Sequence, residues 1–301
     1  MKKALLWGIL GSLFFAFTFI FNRSMNLSGG YWLWSACLRY IFTLPIMFLM
    51  VLKQKNLGSV MASIKKEPGI WLLWSTVGFG LFYGPLTMAS IYGESWFVAA
   101  TWQITIIAGV LLTPLFNHKL PIRNLMVSGI IIIGVILLQI QHTGDELGAG
   151  LIKALGLILL AAFAYPLGNR KMMVQCEEEE LTTIQRVFGM TLMSMPFWLV
   201  LSGVAFVNAG LPSGGQVIQS VVVALFSGVV ATVLFFEATN LVKDNPKQLA
   251  VIEATQSGEV IFTLIGGCLF LGDKMPSTIG FIGIVIIIVG MIGNSLISAK
   301  N

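Results

Sequence analysis

Residues 276–297 read Pro-Ser-Thr-Ile-Gly-Phe-Ile-Gly-Ile-Val-Ile-Ile-Ile-Val-Gly-Met-Ile-Gly-Asn-Ser-Leu-Ile, with no charged side chain among them. A helix needs roughly 20 mostly apolar residues to cross the ~30 Å hydrocarbon core of a bilayer. Strands of a membrane barrel would instead alternate over about ten residues, and this run does not. Nine more runs of the same kind precede it, at 4–22, 31–52, 69–91, 96–116, 121–141, 149–169, 181–202, 216–239 and 248–271. Composition agrees: of 301 residues, 56% are hydrophobic and only 10% are charged. Soluble domains carry about 25% charge, so this chain could not cover a water-facing surface. The same apolar excess excludes disorder, and 3 cysteines are too few for a disulfide scaffold. The expected class is an all-α integral membrane protein with ten transmembrane helices.

Lys2 and Lys3 precede the first run, as they would in a secretory signal. The run is too long for one, however, and ends at Phe21-Asn22-Arg23 without a small-residue cleavage site, so it reads as an uncleaved first helix. Orientation follows from the basic residues of the short loops. With the N-terminus inside, thirteen fall on the cytoplasmic side (Lys2, Lys3, Lys53, Lys55, Lys65, Lys66, Lys119, Arg123, Arg170, Lys171, Lys243, Lys247 and Lys300) and three outside (Arg23, Lys153 and Lys274). Both termini are therefore expected in the cytoplasm, with the chain crossing the plasma (inner) membrane many times. The net charge of +5 is a topology signal rather than a nucleic-acid footprint, because no loop combines a basic surface with stacking aromatics. The acidic run Glu177-Glu178-Glu179-Glu180 reads as carboxylates placed before the seventh helix, at the positive end of its dipole.

Local patterns recur across the halves. Asn22-Arg23-Ser24-Met25 is matched by Asn169-Arg170-Lys171-Met172, and Arg39 by Arg186 at the same offset of 147. Gln103 pairs with Gln256 at offset 153, and Lys119-Leu120-Pro121 with Lys274-Met275-Pro276 at offset 155. These matches, in order, divide the chain into two five-helix repeats at 1–147 and 148–301. Five is odd, so the second repeat enters the membrane from the opposite side, a plan that places a substrate site near the midplane between repeats.

A glycine-rich last helix (Gly280, Gly283, Gly290) follows the turn Leu271-Gly272-Asp273-Lys274-Met275-Pro276. With ten helices and five-plus-five duplication, this turn resembles the drug/metabolite transporter superfamily, EamA-like branch. The segment Glu253-Ala254-Thr255-Gln256-Ser257-Gly258-Glu259 is similar to its multidrug resistance efflux transporter subgroup. The resemblance covers nearly the whole chain and implies the fold and transport, in a superfamily that carries metabolites, amino acids and drugs alike. Two departures stand out: Asp273 occupies a position where Glu is more usual, and the first-half turn, Asn117-His118-Lys119, has no acid.

Ionisable groups within spans cost on the order of 3 kcal/mol each and persist where they face a cavity or a partner. The candidates are Arg39, Arg186, Glu253 and Glu259, with Glu237 nearer an interface. At 1.5 Å per residue, Glu259 lies about 16 Å into the ninth helix, level with Arg39, whereas Glu253 lies about 8 Å in, level with Arg186. Two ion pairs are thus conceivable, Arg39 with Glu259 and Arg186 with Glu253. Low dielectric favours the neutral form of a carboxyl group. Glu259 can therefore be read as a coupling carboxylate that exchanges a proton as access alternates. The competing reading is a structural pair with arginine that holds it ionised. Trp102, Gln103, Gln256, Tyr83, Asn22 and Asn169 are candidate lining residues, as Tyr and Trp faces suit organic cations. Tyr83-Gly84-Pro85 and Tyr165-Pro166 are candidate helix breaks.

A membrane enzyme would need a nucleophile–base set or metal ligands. The 2 histidines, His118 and His142, fall on opposite sides, and no catalytic motif sits at a sensible place. A channel would show a filter or a charged ring. The expectation is a secondary active transporter, a proton-coupled exporter of small amphipathic or cationic compounds or metabolites, with a metabolite or amino-acid carrier as the alternative. It needs no cofactor and no metal and has the bilayer, a small-molecule substrate and protons as partners; the glycines of helices five and ten are expected to allow close helix packing, with a homodimer face as the alternative.

Overall fold

The structure, a computed structural model, describes residues 1–54, 57–140, 148–242 and 244–298, and these hold helices and turns with no strand. Lys55, His142, Lys243 and Lys300, and the junction at 147, lie outside the described residues. In chain order the helices are α1 (Lys2–Leu27), α2 (Trp32–Lys53), α3 (Leu57–Lys66), α4 (Pro68–Ala89), α5 (Ser95–Leu111), α6 (Ile122–Ile140), α7 (Gly148–Glu178), α8 (Thr183–Ala209), α9 (Gly214–Asn240), α10 (Lys247–Leu271) and α11 (Thr278–Ser298). Among the described residues nine of them are long and apolar enough to cross a membrane. The fourth expected run forms the shorter α5, and α3 is a separate short helix that a search for long apolar runs passes over.

Several boundaries differ from the sequence expectation, and the largest shift lies around the acidic run. The sixth run does not stop at residue 169 but continues to Glu178. Its basic residues find partners beside the helix: Arg170 Nη1 donates to the Gly109 carbonyl at 2.6 Å, and Lys171 Nζ lies 5.2 Å from the Phe116 ring centroid. Glu177 and Glu178 therefore finish α7 rather than preceding α8, and Glu180 turns the chain at a φ of 54°. The start of α8 is fixed instead by a capping box, in which the Thr182 hydroxyl accepts from Gln185 N and Gln185 Oε1 accepts from Thr182 N.

α6 and α11 lie against each other. A Cβ placed on Gly134 would stand 2.6 Å from the Gly283 carbonyl oxygen, and one on Gly290 would stand 2.7 Å from Ile131. Small residues permit such approach where no hydrophobic effect drives helices together. The seam ends in a polar clasp: Asn124 Nδ2 donates to Asn294 Oδ1 at 3.1 Å and to Ser298 Oγ at 2.7 Å, while Ser128 Oγ donates to Asn294 Oδ1 at 3.1 Å. Gly134, Gly283 and Gly290 thus serve the close helix packing expected of them.

Helical irregularities come in matched places. A π-type turn widens α4 at Thr76–Gly80 and another widens α9 from Val223, 147 residues on. The helix α5 breaks at Gln103, and α10 tightens to a 3₁₀ turn at Thr255–Ser257, around Gln256. Beyond them Asn117 (φ 60°) and Gly272 (φ 67°) are both left-handed, 155 residues apart. The expected breaks do not fall at proline: Pro85 and Pro166 stay inside helix, as do Pro45 and Pro196. The wide turn at Thr76–Gly80 comes just before the helical segment that carries Pro85, where an irregular turn can absorb the missing N–H.

Candidate functional site

The site is assembled from eight helices, α1, α2, α4, α5, α7, α8, α9 and α10, which enclose a cavity of about 310 Å³. That is the low end of the size range for small-molecule sites. Neither α6 nor α11 contributes to its wall. Seven of the ten residues singled out from the sequence line it: Arg39, Arg186, Trp102, Gln103, Gln256, Asn169 and Glu259. Two more stand directly behind. Tyr83 is fully buried, its ring lies 4.1 Å beneath the Arg39 guanidinium, and its hydroxyl donates to Asn22 Oδ1 at 3.2 Å. The tenth, Glu253, is exposed and does not line the cavity.

The two arginines sit in different surroundings. Arg39 is held: its Nη1 donates to Thr18 Oγ1 at 3.0 Å, Thr18 is hydrogen-bonded to Ser227, and Tyr83 supplies an aromatic face. Arg186 is not, since its Nε is buried without a partner and no ion pair engages it among the described residues. The Glu259 carboxyl group faces the Gln103 amide and feels the Arg39 charge. Neither conceived ion pair closes. Among the described residues the salt bridges are Arg23 with Asp273 and Lys66 with Glu179. Equal depth along two helices does not make their side chains face one another, and Thr18 and Tyr83 take up Arg39 instead.

Sequence reasoning reached Trp102 and Tyr165 but missed Phe82 in the aromatic wall. Phe82, Trp102 and Tyr165 form a closed triangle, with ring centroids 5.1, 4.8 and 5.7 Å apart. Tyr165 also lies within electrostatic reach of Arg39, Arg186 and Glu259. An aromatic residue in an apolar run carries no mark that separates a cavity wall from ordinary packing. Tyr40, by contrast, is stacked on Trp198 at 4.7 Å and serves the core as well as the wall.

A polar latch lies at the end of the bundle opposite the N-terminus. Asp273, 8% exposed, accepts from the Ser95 backbone N–H at 2.8 Å and from the Ser95 hydroxyl, and pairs with Arg23 Nε at 3.7 Å. Arg23 also donates to the Ser90 carbonyl at 3.2 Å. The acid of the Leu-Gly-Asp turn thus sits on the exposed N–H groups at the start of α5, where the helix dipole favours a negative charge. It ties α1, α5 and the α10–α11 turn together.

Comparison with known proteins agrees with this architecture. A family model described as "Putative multidrug resistance efflux transporter" matches residues 2–300. The chain is 49% identical over 302 aligned positions to "Uncharacterized protein YjlA" of Bacillus subtilis (strain 168), covering 96% of this chain and 93% of the other. It is 43% identical over 289 positions to "Uncharacterized 42.1 kDa protein in intracellular alkaline protease 3'region" of Shouchella clausii, covering 92% and 76%. With a helical membrane bundle built around a polar cavity and a match from one end of the chain to the other, the chain belongs to this family of membrane transporters, within the drug/metabolite transporter superfamily.

Proposed function

We propose that this protein is a proton-coupled exporter of small amphipathic organic compounds, built of ten spans in two inverted five-helix repeats, 1–147 and 148–301. Both termini face the cytoplasm and the bundle lies in the plasma membrane. The repeat reading is supported by the matched irregularities at Thr76 and Val223, at Gln103 and Gln256, and at Asn117 and Gly272. Even the eight lining helices obey it, since α6 and α11, the fifth and last spans, are the pair left out. The basic loop residues support the orientation.

One observation carries the coupling: Glu259 is the one carboxylate in the cavity wall and makes no salt bridge with either arginine. A carboxyl group buried within a membrane bundle, free of a closed ion pair, can take up and release a proton as the cavity changes the side it faces. Gln103 and Arg39 are its polar neighbours in the wall. Asn22, Tyr83 and Asn169 hold the wall around it, and Gln256 and Trp102 meet the substrate.

The test is flux in liposomes under an imposed pH gradient. Glu259→Gln is expected to reduce gradient-driven transport on the order of tenfold or more while leaving facilitated exchange measurable. Full pH-driven transport by that variant would overturn the coupling role. Glu253→Gln, altering an exposed carboxylate outside the cavity, is expected to transport as the unaltered protein does.

A further inference from the structure

The charge balance of the cavity bears on what it binds. Among the described residues two guanidinium groups, Arg39 and Arg186, line the cavity with a single carboxyl group, Glu259. Arginine stays charged in any protein environment, so the cavity is positive whether Glu259 carries a proton or not. A cation entering it would meet like charge from two sides.

Arg39 is committed to Thr18 and Tyr83, whereas Arg186 has a buried Nε with no partner and no ion pair among the described residues. A guanidinium N–H buried without an acceptor is costly, and an anion that docks against it recovers that cost. A guanidinium presents parallel N–H donors that match a carboxylate. Tyr165 joins this polar region to the triangle it forms with Phe82 and Trp102, which offers ring faces for an apolar body. The volume of about 310 Å³ suits a molecule of one ring and a short chain.

We infer that the substrate is a small ring-bearing carboxylate whose acid group pairs with Arg186 and whose ring packs on Phe82, Trp102 and Tyr165. This deepens the transport reading and rests on it, and it replaces the cationic cargo expected from the sequence. The shared chemistry is the carboxylate. If the molecule also carries an ammonium group, that group lies toward Glu259 and competes there with a proton. Without one, protonation of Glu259 raises the positive charge and strengthens the grip on the acid.

The experiment is calorimetric binding to the full-length protein in detergent, with four probes sharing a phenyl ring: 3-phenylpropionate, phenylalanine, 2-phenylethanol and 2-phenylethylamine. At least one carboxylate probe is expected to bind at least about tenfold more tightly than the alcohol and the amine. Arg186→Gln is expected to weaken that carboxylate at least about tenfold while leaving the alcohol's binding unchanged, which shows that the variant is folded. Arg186→Lys should recover part of the loss, since it restores charge without the fork. Tighter binding of either acid supports the inference, and which acid it is tells whether an ammonium is read. Preference for the amine, equal carboxylate binding by Arg186→Gln, or no carboxylate binding to the unaltered protein each overturns it. Carboxylate binding without flux in liposomes would sink the transport reading and leave this one standing. Proton-driven flux of the amine would do the reverse.

Discussion

At the scale of single residues, Asp273 shows how one carboxylate can hold three segments. It accepts two hydrogen bonds from Ser95 and pairs with Arg23 in a nearly dry setting. Asp273→Ala leaves the α5 terminus and Arg23 without that partner and is expected to cost about 3 kcal/mol, read as a lower thermal midpoint in detergent. Glu179 makes a milder case at the other end of the bundle. Partial burial pushes its carboxyl group up, but hydrogen bonds from Ser63 and Lys66 outweigh that and hold it below the ordinary carboxylate range. Because its folded value lies below its unfolded one, the stabilisation is present at neutral pH and fades as pH falls through the folded value. Lys66 is largely exposed, so Lys66→Met should cost under about 1 kcal/mol at neutral pH. In acid the variant and the parent should converge in thermal stability.

At the scale of elements, the α6–α11 seam depends on bare backbone. Gly134→Ala would place a methyl group 2.6 Å from the Gly283 carbonyl oxygen, with Ile287 equally close. The helices must then part, which is expected to cost on the order of 1–3 kcal/mol, measurable by thermal unfolding beside the tolerant control Gly129→Ala, where a Cβ meets nothing within 4 Å. Most of the helical plan was legible beforehand, because a run of apolar residues long enough to span a bilayer has few other uses. Its buried charges were legible for a related reason, as Arg39, Arg186 and Glu259 are costly unless a cavity receives them. The sequence was silent on azimuth. Glu253 and Glu259 are six residues apart, which at about 100° per residue leaves them roughly 120° apart around α10, so one can face the cavity while the other is exposed. It was equally silent on Phe82, whose neighbours are as apolar as it is. Reading proline as the place of the break failed at Pro85, where the irregular turn comes earlier, and at Pro166, where the helix runs on unbroken.

At the scale of the whole molecule, the latch and the cavity belong to one cycle. The Arg23–Asp273–Ser95 cluster closes one end, while Arg186, Asn169 and Gln256 draw the polar wall toward the end that holds the N-terminus. The matching first-half turn offers Asn117 and His118 and no acid, so the two ends are not equally fastened. Opening the fastened end should require Asp273 to let go. In a chain with Cys37, Cys176 and Cys268 replaced, a cysteine at Leu86, a lining residue that is 2% exposed, is expected to react faster with a membrane-impermeant thiol reagent when Asp273→Ala is added. An unchanged rate would show that the latch holds shape without controlling access.

The absence of α6 and α11 from the cavity wall separates two kinds of inheritance within one chain. Changes of cargo can accumulate in eight helices without disturbing the glycine seam that joins α6 to α11, and the seam can be strengthened without touching recognition. A chimera that exchanges α1, α2, α4, α5, α7, α8, α9 and α10 with those of another transporter of this fold, keeping this seam, should assemble like the present protein and carry the other's cargo.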